Sequence, residues 1–130
     1  MPAQPIKHSK YKLAKGVEIP SLCYGYTYID SNITTNYDVV ETDVVILVDT
    51  NISSVTINLT TNIPFSDGKI LYIKDIGKFA GTNNISFDVT VDNAGGISKV
   101  DQDLMGVMLM YINNATTNGS EWIQLMKLDG

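Results

Sequence analysis

The sequence predicts an all-β fold, a small antiparallel β-sandwich or barrel-like domain, and two observations support this class. Ile, Val and Thr make up 38 of the 130 residues, whereas Ala and Glu number 5 and 3, a balance that favours strands over helices. Short apolar or alternating segments also recur at intervals of roughly 8 to 15 residues, separated by clusters of turn-forming residues. A chain of this length has the size of one domain.

Eight segments carry the pattern of a strand. In chain order they are residues 24–28, 37–40, 44–48, 55–60, 69–74, 85–91, 107–112 and 122–126. Alternation is clearest in the fourth, where Val55, Ile57 and Leu59 point to one face. The run VVILV in the third lacks alternation, as expected of a strand covered on both faces. No segment predicts a helix of two turns or more, although residues 101–110 come closest.

The segment Lys69–Lys74 predicts a central strand. A period of two places Ile70, Tyr72 and Lys74 on one face, and the remaining apolar residues on the other. A strand with two apolar faces lies between two layers, or between its own sheet and a neighbouring subunit, with its charged ends reaching solvent. We therefore expect truncation of Ile70 or Tyr72 to destabilise the protein more than loss of any surface Asp.

The chain offers few side chains for catalysis. It contains one His (His8), one Cys (Cys23) and no Arg. A nucleophile paired with His would have to use His8, which lies in a Lys-rich leader. The lone His and Cys also lack the CxxC or HxxxH spacing of zinc sites. The sequence therefore predicts a protein that is not an enzyme and has no catalytic residues and no cofactor.

Eleven Asp residues raise the alternatives of a calcium site or a pair of glycosidase carboxylates. Asp101 and Asp103 share a face if the chain is extended, and Asp92 precedes a Gly pair. The DxDxDG calcium loop with its closing Glu is absent. Because loop Asp residues commonly cap turns, no metal site is predicted.

Residues 1–16 are predicted to be a basic arm and residues 17–130 the β domain. The arm has a charge of +4 and no acid, whereas the domain carries 5 Lys against 14 Asp and Glu, a net charge of −9. Two early Pro and little apolar periodicity predict a flexible arm, and its charge suits docking on an acidic partner. Its lysines are Lys7, Lys10, Lys12 and Lys15.

Partners and location are constrained by the same composition. An acidic domain without Arg argues against a nucleic-acid partner. The N-terminus lacks the apolar stretch of a secretory signal peptide, and no apolar window of ~18 residues predicts a membrane span. Cys23 has no second Cys with which to pair inside the chain, which is compatible with assembly in a cytoplasm.

Four aromatic residues are the candidate ligand or interface residues: Tyr24, Tyr26, Tyr28 and Trp122. The three tyrosines alternate with Gly25 and Thr27, so they would share one face of a strand. Together with Trp122 they could form a flat platform on which a saccharide ring stacks. The favoured interpretation is that Trp122 packs in a core or in an oligomer interface.

The order of several motifs resembles one family. VILVD is followed by VTINL, GKILYIKDIGKFAGTNNISF, a Gly-bearing turn, GVMLMYI and EWIQL. This order resembles a domain that recurs in phage tail and head fibres and in fibre proteins of large viruses. That family typically reads VLVDT, VTITLP and GKxYxIKDxxGNAxxNxIT, followed by a final strand pair that ends in DGxxW. The resemblance covers roughly residues 43–125, and its most specific piece runs from Gly68 to Ile85.

Two loops depart from the family pattern. Residues 113–119 replace the short DG hairpin before the Trp, and the Pro that follows VTINL is displaced to Pro64. Binding specificity commonly lies in such loops, so the departures bear on the ligand rather than on the fold. The resemblance implies a trimeric β domain, without catalytic residues, at the exposed end of a virion appendage.

The residues also give an independent reason to expect self-association. A small all-β domain leaves sheet edges and an Ile- and Val-rich surface to be covered, and three-fold association covers both. Together with what the resemblance implies, this leads us to expect a homotrimeric, non-enzymatic structural protein of a virion, assembled in the host cytoplasm.

Two virion roles fit this expectation, a fibre head or spike and a capsid decoration, either of them with a part in host attachment. The arm would dock on a capsid or fibre-shaft protein, and the exposed end would contact a host glycan or receptor. The alternative is a stand-alone, lectin-like carbohydrate-binding module that uses Trp122 and the tyrosines.

Overall fold

The computed structural model describes residues 25–92, 96–113 and 121–129, and the backbone alone of two short strands near the N-terminus. The strands are β1 (Lys12–Leu13), β2 (Val17–Glu18), β3 (Thr27–Asp30), β4 (Asn36–Asp38), β5 (Val45–Asp49), β6 (Val55–Asn58), β7 (Ile70–Asp75), β8 (Ile85–Phe87), β9 (Lys99–Val100), β10 (Gly106–Tyr111) and β11 (Trp122–Leu128). All regular structure in these residues is strand, so the all-β prediction is confirmed. The described part of the chain contains no helix that could cross a membrane.

Two mixed sheets form the domain. The five-stranded sheet has the order β11-β10-β7-β5-β3, and the four-stranded sheet has the order β4-β6-β8-β9. From β3 to β8, consecutive strands alternate between the two sheets. As a result β3, β5 and β7 lie parallel in one layer, and β4, β6 and β8 lie parallel in the other. The chain thus coils through two layers before β9, β10 and β11 add antiparallel pairs.

The prediction of an antiparallel domain is therefore wrong for β3 to β8, which pair with one another in parallel. It assumed that neighbours in sequence pair with each other through hairpins. Instead, the connection between β3 and β4 spans only five residues and passes to the opposite sheet. Inward and outward alternation is the same in both arrangements, so the pattern within a strand does not reveal its pairing. Neither sheet closes into a barrel, which leaves the sandwich of the two architectures expected.

The parallel coil gives the domain two distinct ends. At the upper end β3, β5 and β7 finish and β10 begins, so residues 30–35, 49–54, 76–84 and 101–105 lie together there. We call these four segments the upper loops. At the lower end lie the start of β3, the connections after β4, β6 and β8, and the connection from β10 to β11.

The core lies between the two sheets. Alternation directs Ile46, Leu71 and Leu109 of the five-stranded sheet toward Ile57 and Ile85 of the four-stranded sheet, and all five are fully buried. At the lower end three aromatic rings close the core. They are Phe65, Tyr111 and Trp122, which contact each other edge to face with ring centroids 5.4 to 5.8 Å apart.

The strand β7 is the middle strand of the five-stranded sheet, as predicted. The face of β7 that fills the core is not the one with Ile70 and Tyr72 that was singled out from the sequence. Leu71 and Ile73 are fully buried, whereas Ile70 is only partly buried and Tyr72 is 43% exposed. The sequence gives both faces equal hydrophobicity, so it could not tell which one meets the second sheet. We therefore assign the larger stabilisation to Leu71 and Ile73.

Most of the predicted N-terminal arm lies outside the described residues. Of residues 1–16, only the backbone of β1 is described, and it pairs antiparallel with β2. The mobility of the arm and the role of its lysines therefore stay predictions.

Truncation of Leu71 tests which face of β7 supports the fold. We expect Leu71→Ala to lower the free energy of unfolding by about 2 to 5 kcal/mol, because it leaves a cavity between the sheets. Leu125→Ala is the matched control, since Leu125 lies in the same sheet but is largely exposed, and its loss should stay below about 1 kcal/mol. Urea unfolding at one protein concentration measures both, and equal losses would contradict the assignment.

Candidate functional site

The outer face of the five-stranded sheet is an apolar surface. Strand register places its outward side chains in three rows across the strands. The rows run Ile123–Met110–Ile70, then Met126–Met108–Tyr72–Val45, and then Leu128–Gly106–Lys74–Leu47–Tyr28. Ten of these twelve residues have large apolar or tyrosine side chains. We call this surface the apolar face.

The outer face of the four-stranded sheet has the opposite character. Its outward positions hold Asn36, Thr56, Ser86 and Lys99 in one row, and Asp38 beside Asn58 in another. Asn58 donates from Nδ2 to the side-chain oxygens of both Asn36 and Asp38. This sheet therefore follows the usual arrangement of one buried and one hydrated face, and the five-stranded sheet does not.

Acidic charge on this outer face is confined to the upper edge of the apolar face, where Asp30 and Asp49 form the next pair of outward residues beyond Tyr28 and Leu47. The one ionisable cation of the apolar face is Lys74, whose Nζ donates to the carbonyl oxygen of Leu104 at the rim. Next to Lys74, a groove of about 400 Å³ is lined by apolar side chains that include Leu47, Met108 and Met126. Flexible Met side chains adapt readily to an opposing surface, so the groove suits a protein partner with apolar side chains.

The predicted aromatic candidates do not form one platform. Trp122 is 1% exposed and its Nε1 donates to the carbonyl oxygen of Leu59 at 3.0 Å, so its ring belongs to the core. Tyr28 is 52% exposed at the opposite edge of the same sheet, on the outer face. Tyr26 is exposed just before β3, and Tyr24 lies outside the described residues. Only Tyr28 among the four candidates is therefore placed on the apolar face.

A buried carboxylate joins the upper loops to one another. Asp75 is fully buried at the end of β7. Its Oδ1 accepts hydrogen bonds from Thr50 Oγ1 at 2.7 Å and Gly77 N at 2.9 Å, and its Oδ2 accepts from Ala80 N at 3.1 Å and Leu104 N at 2.9 Å. One side chain thus connects the ends of β5 and β7 to the start of β10.

The hydrogen bonds determine the protonation of Asp75. Burial by itself raises the pKa of this carboxyl, but the N–H and O–H donors outweigh burial, so the pKa lies below its ordinary value. Asp75 is therefore an anion that organises loops, and all four of its hydrogen bonds come from the protein itself.

Neighbouring residues extend this hydrogen-bond network. The Thr50 hydroxyl also accepts from Phe79 N at 3.1 Å, and Asn83 Nδ2 donates to the Thr50 carbonyl at 2.7 Å. Gly77 packs so close to β5 that a Cβ there would collide with Thr50 N and Asp49 Oδ1. The motif from VILVDT to IKDIGKFAGTNN therefore has a structural role at the upper end.

Asp75 and Thr50 were not predicted as site residues, although the sequence carries one signal for Asp75. Period two places Asp75 on the inward face of β7, after Leu71 and Ile73. A carboxylate at an inward position requires several hydrogen-bond donors. Of the three Asp residues that raised the calcium alternative, Asp103 accepts from Gly81 N and Asp92 accepts from Gln124 N.

At the lower end Lys69 is buried, contrary to the expectation that both charged ends of this strand reach solvent. Its Nζ donates to the carbonyl oxygens of Glu41 and Asp43, and burial lowers the pKa of the ammonium. The buried Asp43 carboxylate accepts from Thr27 Oγ1 at 2.7 Å and from the Tyr37 hydroxyl at 2.8 Å. Burial and this hydrogen bond raise the pKa of Tyr37 to about 12.

Among the described residues, no group of three or more His, Cys, Asp or Glu is placed to hold a metal ion. No protein-family model and no curated protein sequence matches the chain. The geometry of the described residues makes the apolar face the candidate functional site.

Replacement of Asp75 by Asn tests the buried carboxylate. The amide NH2 would face buried donors in place of an oxygen, so we expect Asp75→Asn to cost about 2 to 5 kcal/mol of stability. Asp101→Asn, at an exposed position in the same loops, should cost less than about 0.5 kcal/mol.

The pH dependence of the stability of the wild type and of Asp75→Asn gives a second test of the buried carboxylate. The pKa of Asp75 is lower in the folded protein, so its stabilisation is present above the unfolded pKa and is lost as the pH falls through the folded pKa. Melting temperatures of the wild type and Asp75→Asn should differ by a constant amount above about pH 5 and converge below about pH 4. A difference that grows on acidification would contradict the low pKa.

Proposed function

We propose that this protein is a non-enzymatic structural protein of a virion, a fibre head or spike or a capsid decoration, that works as a homotrimer. The observation that carries the proposal is the contrast between the two outer faces. One is polar and suited to water, and the other presents ten apolar or tyrosine side chains in register. An apolar sheet face of this kind is covered in the working protein.

Second copies of the chain fit this face better than a charged partner does. The β domain carries a net charge of −9, so two copies repel each other over most of their surfaces. The apolar face is the region where they can approach without bringing carboxylates together. Twelve outward positions, each about 4.8 Å by 6.7 Å, give it on the order of 400 Å² in projection, about half of the ~800 Å² that each partner buries in a standard interface.

The virion role rests on the motif order that resembles viral fibre domains, together with the apolar face. In this role the arm with Lys7, Lys10, Lys12 and Lys15 anchors the trimer to a capsid or shaft protein. The opposite end is then free to contribute to attachment to a host glycan or receptor.

The alternative, a carbohydrate-binding module, draws support from two exposed rings among the described candidates, Tyr26 and, on the apolar face, Tyr28. The Tyr28 hydroxyl donates to Asp49 Oδ2 at 3.2 Å, so the ring is oriented by a neighbouring strand. The aliphatic Leu47 lies beside it in the same row of the apolar face, and an apolar neighbour favours protein contact over sugar stacking.

The mass in solution tests self-association. We expect light scattering to give about three times the chain mass of 14.2 kDa at micromolar concentration. Leu47→Glu and Met108→Glu should each give the monomer mass, because a carboxylate on the apolar face would be buried without a partner in the trimer.

Thr56→Glu is the matched control, since Thr56 is an outward residue on an inner strand of the polar sheet. It should leave the mass unchanged. Circular dichroism shows whether each variant keeps the wild-type strand content. A wild-type mass of one chain would overturn the proposed trimer, whereas a trimer that tolerates both Glu substitutions would show that another surface forms it.

A further inference from the structure

Five large apolar side chains project from the upper loops into solvent. They are Ile33, Ile52, Ile76, Phe79 and Leu104, and the first two are 79% and 57% exposed. The described residues at the lower end expose two comparable side chains, Tyr26 just before β3 and Val40. Apolar side chains on loops contribute nothing to the core, so their concentration at one end indicates a binding surface.

The upper loops hold these side chains on a fixed frame. The Ser31 hydroxyl accepts from Ile52 N at 3.0 Å and Ser53 N at 3.2 Å, and the Ser53 hydroxyl donates back to the Ser31 carbonyl at 2.9 Å. The Asp75 network fixes the segments that carry Phe79 and Leu104. Loops that are already ordered lose little conformational entropy when a partner binds, which favours binding.

Charge in the upper loops selects the kind of partner. Besides the buried Asp75, these loops contain Asp30, Asp49, Asp101 and Asp103, and their one cation is Lys78. The phosphates of nucleic acids and anionic lipids are repelled by this arrangement, and so are the upper loops of another copy. The surface therefore fits a segment that combines apolar side chains with cations and has no acid.

We infer that the upper loops bind the basic N-terminal segment, residues 1–16, of a neighbouring copy. That segment carries +4 with no acid, which complements the four carboxylates, and it contains Ile6, Tyr11 and Leu13 as apolar residues. This inference deepens the proposed function in one respect, on which it rests: the shaft protein that receives the arm is a second copy of the chain, and the outermost copy keeps its upper loops free for attachment.

The positions of the two ends allow a neighbouring copy to supply the segment. The described domain begins at Gly25 at the lower end, so residues 1–24 join the domain at the end opposite the upper loops. The lower end carries Glu41, Asp67 and Asp88 among its acids, so an upper end and a lower end repel each other directly. A basic segment between them removes this repulsion and links copies end to end.

Binding of a synthetic peptide tests the inference. The probe is a fluorescein-labelled peptide of residues 1–16. The receptor is the full-length chain with Lys7, Lys10, Lys12 and Lys15 replaced by Gln, so that its own segment does not compete. Fluorescence anisotropy should show saturable binding that weakens about tenfold or more between 50 and 500 mM salt.

Variants of the same receptor separate a specific site from general attraction. Ile33→Ser combined with Ile52→Ser should weaken binding at least about tenfold, and Asp101→Lys should weaken it as well. Val40→Ser, an exposed apolar residue at the lower end, should leave the affinity unchanged. All these positions are exposed, so unchanged melting temperatures are expected to verify the fold of each variant.

Two results would overturn the inference. One is an absence of peptide binding up to about 1 mM, an affinity at which association is negligible. The other is binding that the Ile33 and Ile52 substitutions leave as tight as before. Neither result bears on the proposed trimer, which is tested by the mass in solution of the Leu47→Glu and Met108→Glu variants.

Discussion

The buried carboxylate of Asp75 is the interaction on which the upper half of the domain depends. It lies where the middle strand of the five-stranded sheet ends. Its four hydrogen bonds connect Thr50, the turn after β7 and Leu104. An ionised carboxylate away from water is tolerated only when donors surround it. The loops that supply these donors are therefore held in one conformation, and the parallel strands below them keep their register.

This dependence clarifies what the sequence could predict. Each of the eight segments with a strand pattern contains part of a strand, although the segment 85–91 is strand only over Ile85–Phe87. Val55, Ile57 and Leu59 are buried, as their alternation indicates. Pairing could not be predicted, because alternation is a property of one strand and pairing is a property of the turns that follow it. The two-residue strand β9 gave no signal because it is too short to show a period.

The candidate site was predictable in part. The absence of alternation in VVILV and the two apolar faces of ILYI correctly indicated strands with apolar side chains on both sides. The position of Trp122 in a core was also favoured. The aromatic platform was not formed, because Trp122 and Tyr28 lie on opposite faces and at opposite edges of one sheet. Isolated apolar residues within turn clusters, such as Ile33 and Ile52, carry no periodicity, so their convergence at one end depends on the topology.

The two-layer coil has a consequence for how such a domain can change in length. At one side both sheets end in a strand of the parallel coil, β3 in one and β4 in the other. At the other side the antiparallel strands β9, β10 and β11 terminate the parallel array. Each added coil would contribute one strand to each sheet. An insertion before β3 would therefore widen both sheets by one strand and leave the side with β9, β10 and β11 unchanged. Duplication of a single coil is therefore a route by which related chains could acquire wider sheets. The antiparallel strands would stay the same and the number of parallel strands would vary.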